Sequence, residues 1–257
     1  MLPILEAFAI ARGSVVALAG GGGKTSLMWA LARAASAAGW RVLTTTTTRI
    51  RMPREDECAL TVLLDARDDP VGVLRGHLAR TPHVTVAARR REEGKLGGLA
   101  PALVDAIAAA GIAELIVVEA DGAAGRPIKA PREGEPVYPG STTLAVMVVG
   151  VDALGVPLDE AHVFRAALAA QITGLEPGAR VTPEAAAALL VGPGGLAAKA
   201  PARARIAVLV NKVEDAAGER AAHALAQRLL ERGAPRLERA LIGAVLRAEA
   251  GFAVLER

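Results

Sequence analysis

Four glycines, a lysine and two hydroxyl residues, Gly20-Gly21-Gly22-Gly23-Lys24-Thr25-Ser26, follow directly on the apolar run Ser14–Ala19. Those residue types in that order suit phosphate binding. Glycine reaches positive φ at little steric cost, so successive N–H groups can converge on an anion, and a helix starting there adds its free amides and its dipole. In this reading Gly20, Gly21, Gly22 and Gly23 form the cradle, Lys24 reaches the β- and γ-phosphates and Thr25 sits on Mg²⁺, with Ser26 also among the nucleotide-binding residues. The pattern departs from G-x-x-x-x-G-K-[ST] at one place: Leu18 stands where the first glycine belongs, so the loop is shortened. The alternative is a glycine-rich turn between a strand and a helix, carrying one solvated lysine.

A second reactive group follows the apolar run Leu115-Ile-Val-Val118, namely Glu119-Ala-Asp121-Gly122 and then Arg126-Pro-Ile-Lys129-Ala-Pro131. An acid ending a hydrophobic strand downstream of a phosphate loop is placed to hold the Mg²⁺ of a nucleoside triphosphate, directly or through water. Alternation puts Glu119 and Asp121 on one side of the chain, so one can orient the metal and the other the nucleophile. Thr25, Glu119 and Asp121 are therefore the metal-binding candidates. Arg126 and Lys129, in a loop stiffened by Pro127 and Pro131, supply cations for a second anionic group or for charge developing at the γ-phosphate. With Lys24 and the two acids they complete the catalytic candidates. The competing reading is a local ion-pair cluster with Glu133 and Glu135.

After Ile206–Val210 stands Asn211-Lys212-Val213-Glu214. In GTPases an Asn-Lys-x-Asp element at this place reads guanine. Here the acid is one methylene longer, so Asn211, Lys212 and Glu214 are candidates for base contact, and the nucleotide is ATP or GTP. The alternative is a plain strand-to-helix connection. Thr44–Thr48, followed by Arg49, ends another strand. Five consecutive hydroxyls cannot all face a dry core without partners, so some are expected to line a polar cleft.

These groups need a scaffold that delivers strand ends to one edge. Apolar runs at 14–20, 40–46, 60–64, 84–87, Leu115–Val118, Leu144–Val149, Ile206–Val210 and 240–246 read as strands. Lys24–Ala38, Pro101–Ala110, Glu160–Ala170, Glu184–Leu190 and Ala216–Leu230 read as helices. Continuous apolar strands alternating with helices predict an α/β fold, a P-loop NTPase-like three-layer sandwich with a mostly parallel sheet and its sites at the carboxyl ends of the strands. Residues 1–257 are read as a single domain, with residues 53–100, which alternate poorly, forming a small inserted lobe or hairpin.

Composition limits the function. Of 257 residues 52% are hydrophobic but only 2% aromatic, so the core must be built from Ala, Val and Leu. The net charge is +3, with basic residues dispersed among acids and almost without aromatic neighbours, which argues against a nucleic-acid surface. Arg89-Arg90-Arg91, followed at once by Glu92-Glu93, reads as a solvated loop. The single cysteine, Cys58, excludes an internal disulfide and suits a reducing compartment. Residues 1–6 lack a basic n-region and charges interrupt every apolar stretch, so no membrane span and a cytoplasmic location are expected. The histidines His77, His83, His162 and His223 show no ligand spacing.

Taken together, Gly20–Ser26, Thr44–Thr48, Lys95-Leu-Gly-Gly-Leu99, Glu119–Gly122 with Arg126–Pro131, Glu135-Pro136, Val151-Asp-Ala-Leu-Gly155 and Asn211–Glu214 resemble the YqeC family, the selenium-dependent molybdenum hydroxylase accessory or selenium cofactor biosynthesis family. The resemblance implies a bacterial cytoplasmic P-loop protein that serves the maturation of molybdenum hydroxylases, which include xanthine dehydrogenase-like enzymes. It implies as partners a hydroxylase or its cofactor precursor; selenium enters from the resemblance alone. The loop also resembles the deviant phosphate loops of metallochaperone and nitrogenase-iron-protein-like NTPases. Ala19 stands where many of those carry a signature lysine, so a homodimer would not be activated through that residue. Three functions remain open: a Mg²⁺-dependent triphosphatase coupled to cofactor assembly or insertion, a phosphotransferase or nucleotidyltransferase acting on a cofactor precursor, and a nucleotide-gated adaptor.

Overall fold

A computed structural model describes residues 1–65, 69–91, 94–232, 234 and 236–256. In chain order its elements are α1 (Ile4–Ala7), β1 (Ser14–Gly20), α2 (Lys24–Ala37), β2 (Val42–Thr46), β3 (Arg49–Arg51), β4 (Thr61–Leu63), α3 (Pro70–Leu78), β5 (His83–Ala87), β6 (Arg89–Arg91), β7 (Lys95–Gly97), α4 (Pro101–Ala109), β8 (Leu115–Glu119), β9 (Ile128–Lys129), β10 (Leu144–Gly150), β11 (Val163–Phe164), α5 (Ala166–Thr173), α6 (Pro183–Val191), β12 (Arg205–Asn211), α7 (Ala216–Glu231), β13 (Leu237–Ile242) and β14 (Ala253–Glu256). Short 3-10 turns occupy Val151–Ala153, Leu196–Lys199 and Val245–Ala250.

Nine strands form one sheet in the order β14-β13-β12-β10-β1-β8-β2-β5-β4, parallel throughout except for β14 at the edge. The central strands β1, β8 and β10 are buried along their whole length. Their Val, Ile, Leu and Ala content suits a strand covered on both faces, where no polar side chain needs water. Helices cover both faces, giving the α/β sandwich that strand and helix alternation predicts.

With few rings available, the core is aliphatic. One cluster joins α5, α6 and α7 to β10, β12 and β13; a second joins α1, α2 and Phe252 to β1, β8 and β10; a third joins α3 and α4 to β4 and β5. Burial of the Val, Leu and Ile side chains among them contributes about 1.5–3 kcal/mol each relative to exposure. Helix α2 starts at the glycine loop and stops at Ala37, where Gly39 takes φ +75°.

Two elements are displaced by three residues or more from the sequence reading. The helix expected over 160–170 begins at Ala166 and runs to Thr173. Asp159 Oδ1 accepts the amides of Ala161 (3.0 Å) and His162 (3.1 Å), and Glu160 Oε1 accepts that of Ala166 (2.7 Å). Local side-chain acceptors thus compete with the helix through residues 159–165 and release it one turn later. The last parallel strand is β13, Leu237–Ile242, rather than 240–246, because the chain turns at Gly243 into the Val245–Ala250 segment. Within 53–100, β4, α3 and β5 belong to the main sheet layer, while β6 and β7 pair antiparallel beside β3 in a small three-stranded sheet. Glu92 and Glu93 lie outside the described residues. Among the described residues no helix is long and apolar enough to cross a membrane.

Candidate phosphate-binding site

Strand β1 runs through Gly20, two residues beyond Leu18, leaving only residues 21–23 to connect it to α2. Space and backbone both demand glycine there. Gly20, Gly22 and Gly23 have φ of +103°, +70° and +124°. A Cβ would lie 2.3 Å from the Val148 carbonyl oxygen at Gly20, 2.5 Å from the Arg126 carbonyl oxygen at Gly21, 2.1 Å from the Gly150 nitrogen at Gly22, and 2.4 Å from Asn211 Nδ2 at Gly23. The loop is therefore set into a slot made by the end of β10, the Arg126-Pro127 segment and Asn211.

That slot also uses most of the loop's amides. The Gly20 N–H donates to both oxygens of Asp121 (3.1 Å each), the Gly21 N–H to the Val148 carbonyl (2.9 Å) and the Gly22 N–H to the Arg126 carbonyl (3.1 Å). What stays open is the start of α2. Its N-cap is Gly23, no side chain caps it, and its first-turn amides have no partner within the helix. An anion is favoured there by those amides and by the helix dipole.

Lys24 opens that helix and points back along the loop. Its Nζ donates to the Gly20 carbonyl (2.6 Å) and lies 3.3 Å from Asp121 Oδ1 and 3.8 Å from Glu119 Oε1. Burial works against its charge, but Asp121 and Glu119 outweigh burial and hold its pKa above the usual lysine value. Asp121, the nearer acid, takes the larger share of that pairing. Glu119 is left with burial as the main influence, which pushes its pKa up; Lys24 and the Thr25 hydroxyl oppose this, and the Asp121 charge adds to it. The Thr25 hydroxyl donates to Glu119 Oε2 at 2.7 Å.

Asp121 is fully buried between two lysines, with Lys129 Nζ 3.0 Å from its Oδ2. Lys129, also fully buried, donates to the Gly122 carbonyl (2.7 Å) and to Glu135 Oε2 (3.0 Å). Glu135 in turn lies 2.9 Å from Arg165 Nη1 and 2.8 Å from Arg132 Nε. Burial raises the Glu135 pKa, but hydrogen bonds from Arg165 and Lys129 overcome it and bring the value down to about 2. The result is a chain of alternating charge, Lys24, Asp121, Lys129, Glu135, Arg165, running from the loop through the buried Asp121 and Lys129 to the half-buried Arg165. Arg165, with φ +66°, also lays its guanidinium 4.7 Å from the centroid of the Phe164 ring.

The structure thus brings Lys24, Thr25, Glu119, Asp121 and Lys129 together, as their placement at neighbouring strand ends suggests. Lys129 is committed to the two acids instead of facing a ligand. Arg126 is not brought to the cluster: its guanidinium donates to the carbonyls of Glu160 (3.0 and 3.1 Å) and Ala124 (2.8 Å). Ser26 lies on the first turn of α2, on the wall of a separate groove of about 740 Å³. The Asn211 side chain is used inside the protein, its Nδ2 donating to the Gly22 carbonyl (2.8 Å) and its Oδ1 accepting the Val245 amide (2.9 Å). Lys212, at φ +64°, pairs with Asp152 (2.7 Å), and Glu214 is exposed with no polar partner among the described residues.

Of the five threonines, Thr44, Thr45 and Thr46 are buried. Thr44 Oγ1 meets His83 Nε2 (3.0 Å) and Thr85 Oγ1 (2.9 Å), Thr45 donates to the Val86 carbonyl (2.8 Å) and Thr46 to the Glu119 carbonyl (2.7 Å). Only Thr47 and Thr48 reach a cleft.

The residues fit Mg²⁺ carried by a triphosphate. Thr25 and Glu119 are hard oxygen donors side by side, and Mg²⁺ is ordinarily held by one or two carboxylates with phosphate and water completing its shell. No group of three or more His, Cys, Asp or Glu among the described residues closes on a common point, and Asp121 is already held by Lys24, Lys129 and the Gly20 amide. Sequence reasoning missed Arg165, which reaches the cluster only because β9 pairs with β11. It missed Gly150 as the floor beneath Gly22. Glu135 was visible as an ion-pair candidate, but not as the partner that Lys129 and Arg165 share.

A family sequence profile described as "YqeC protein" matches residues 16–167, a span that includes the loop, both acids, Lys129, Glu135 and Arg165 but not Asn211. A protein of Escherichia coli (strain K12) named "Uncharacterized protein YqeC" is 32% identical over 209 residues, which is 81% of this chain and 80% of its own length.

Proposed function

The chain belongs to the YqeC family, and from that premise we propose that it is a Mg²⁺-dependent nucleoside triphosphate-binding and -hydrolysing accessory protein serving molybdenum hydroxylase maturation. The observation that carries the nucleotide reading is the uncapped start of α2 with buried, charged Lys24 in its first turn and the Thr25–Glu119 pair beside it. The client reading is supported by the motif set that resembles the selenium-dependent molybdenum hydroxylase accessory proteins, with the hydroxylase or its cofactor precursor as partner.

In this reading Lys24 exchanges its bond to the Gly20 carbonyl for triphosphate oxygens, and the acids beside it keep it protonated. Thr25 and Glu119 hold the Mg²⁺. Bound Mg²⁺ supplies charge neutralisation and polarisation of the phosphoryl oxygens. Asp121 acts through Lys24 and the Gly20 amide as a positioning residue, backed by Lys129, Glu135 and Arg165. Asn211 fixes the loop, which leaves Lys212 and Glu214 as the members of that element exposed to a base and makes ATP against GTP a question for measurement. A second reading, transfer to a small acceptor, is favoured by an arginine-bearing crevice further along the same carboxyl edge of the sheet.

Titration of the purified protein with ATP, GTP and CTP in the presence of Mg²⁺, together with phosphate release with and without a molybdenum hydroxylase, tests the proposal. Lys24→Ala is expected to weaken triphosphate binding by about 10- to 100-fold, the worth of a charged hydrogen-bond donor. Equal affinity in the variant, or no binding of any triphosphate to the wild type, removes the reading.

A further inference from the structure

Beyond the phosphate loop, the same carboxyl edge of the sheet continues past β2 to β5 and β4 and ends in a crevice of about 620 Å³. Thr47 and Thr48 line it from the end of β2, Arg89 and Arg91 from β6, and Leu103 from α4. Arg89 and Arg91 alternate on an extended strand and so share a face. Both are exposed, and neither makes an ion pair or hydrogen bond among the described residues. Asp65, a carboxylate on the same wall, is itself engaged in an interaction.

The crevice is shaped by Gly97 and Gly98. A Cβ at Gly97 would come 3.1 Å from Arg89 Cγ and 3.4 Å from Arg91 Nε, so the missing side chain gives both arginine stems room to lie across the strand. A Cβ at Gly98 would lie 2.4 Å from the Thr47 carbonyl carbon and 2.6 Å from the Thr48 nitrogen. The Gly98 and Leu99 amides donate to the carbonyls of Thr48 (2.9 Å) and Thr46 (2.8 Å), which fixes the threonine turn as a rigid floor. Helix α4 begins on the same wall with no side-chain cap, whereas the neighbouring α3 is capped by Asp69.

An open pocket with two guanidinium groups that have no partner among the described residues, and with an apolar wall, fits one kind of occupant. We propose that this crevice binds a small organic anion, a phosphate- or carboxylate-bearing compound with a flat apolar body. The arginines fork onto the anionic group, and the body lies against Leu99 and Leu103; the threonine turn supplies the floor, its hydroxyls being held by the Val137 carbonyl (Thr47, 2.7 Å) and by Thr46 Oγ1 (Thr48, 3.3 Å). The crevice is joined to the phosphate loop through one residue: the Thr47 amide (3.2 Å) and the Thr46 hydroxyl (2.7 Å) both donate to the carbonyl of Glu119, whose carboxylate holds Thr25. The role of this anion as the compound on which the nucleotide reaction acts rests on the nucleotide reading above; its binding does not.

The test uses 1-naphthyl phosphate, followed by its fluorescence, against the full-length protein. Saturable binding is expected, at least about tenfold weaker in the double variant Arg89→Ala/Arg91→Ala, as loss of charged donors predicts, and partly restored in Arg89→Lys/Arg91→Lys. Neutral 1-naphthalenemethanol is expected to bind at least about tenfold more weakly than the phosphate for the same reason. Lys24→Ala is expected to retain binding of 1-naphthyl phosphate. Loss of binding in Lys24→Ala with retention in the double variant places the anion at the phosphate loop and overturns the proposal. Absence of saturable binding to the wild type, or equal binding of the neutral alcohol, overturns it as well. Because failure of triphosphate binding is read in a separate titration, either reading can fail while the other stands.

Discussion

The carboxyl edge of the sheet has two halves of opposite character. Around β1, β8 and β10 the buried charges are paired: Lys24, Asp121, Lys129, Glu135 and Arg165 satisfy one another in series, and the amides of Gly20, Gly21 and Gly22 are spent on Asp121, Val148 and Arg126. Around β2, β5 and β4 the buried polar groups are equally satisfied, but at the surface the guanidinium groups of Arg89 and Arg91 have no partner among the described residues. The contrast separates two uses of charge. A buried ion is tolerated only when it is compensated, and a compensated chain fixes geometry. An exposed ion costs little to leave open, so it is available to a ligand.

Lys129→Met gives the largest expected effect and tests the first half directly. It leaves Asp121 and Glu135 facing each other with less compensation, and should lower unfolding stability in urea by about 3–5 kcal/mol. A loss below about 1 kcal/mol would mean that the cluster is better hydrated than its burial implies. Asn211→Ala comes next. It strips the Gly22 carbonyl and the Val245 amide of their partners at once, and about 1–3 kcal/mol of stability should go with them.

The third measurement asks whether buried groups in the second half obey the same rule. Burial lowers the His83 pKa from 6.5 to about 4. The folded state therefore resists a proton that the unfolded chain accepts, and stability is fully present above about pH 6.5 and falls as the pH drops towards 4. The cost is about 1–2 kcal/mol over that window, and His83→Gln should flatten it. The smallest effect belongs to the surface. Arg89→Ala/Arg91→Ala should shift stability by less than about 0.5 kcal/mol, and a larger loss would show that these arginines hold structure, collapsing the distinction between the halves.

The parts of this molecule legible in the sequence are those dictated by local pattern. Continuous runs such as Leu115–Val118 and Ile206–Val210 announce strands covered on both faces, and alternation alone puts Glu119 and Asp121 on the side where Lys24 meets both. What pattern does not carry is how a residue spends its bonding capacity. Lys129 and Asn211 sit where a ligand contact is expected, yet their partners, Glu135, Gly22 and Val245, are chosen by packing between distant segments. The helix expected from Glu160 starts late because Asp159 and Glu160 cap turns, an effect that periodicity does not register. Arg89 and Arg91 looked like a solvated loop because the sequence does not show that the strand of the nearby Gly97 pairs with that of the arginines.

The Asn211 side chain makes one more property of the loop accessible. Its two ends grip the Gly22 carbonyl and the Val245 amide, which are held together across more than two hundred residues of chain. The Gly22 carbonyl and the Val245 N–H thus meet the two ends of one planar amide, so a rotation of the Gly22 peptide is expected to be felt at Val245. The Val245 amide proton is therefore expected to report on the loop through its chemical shift from outside the charged cluster, beside Leu246, which stands 81% exposed.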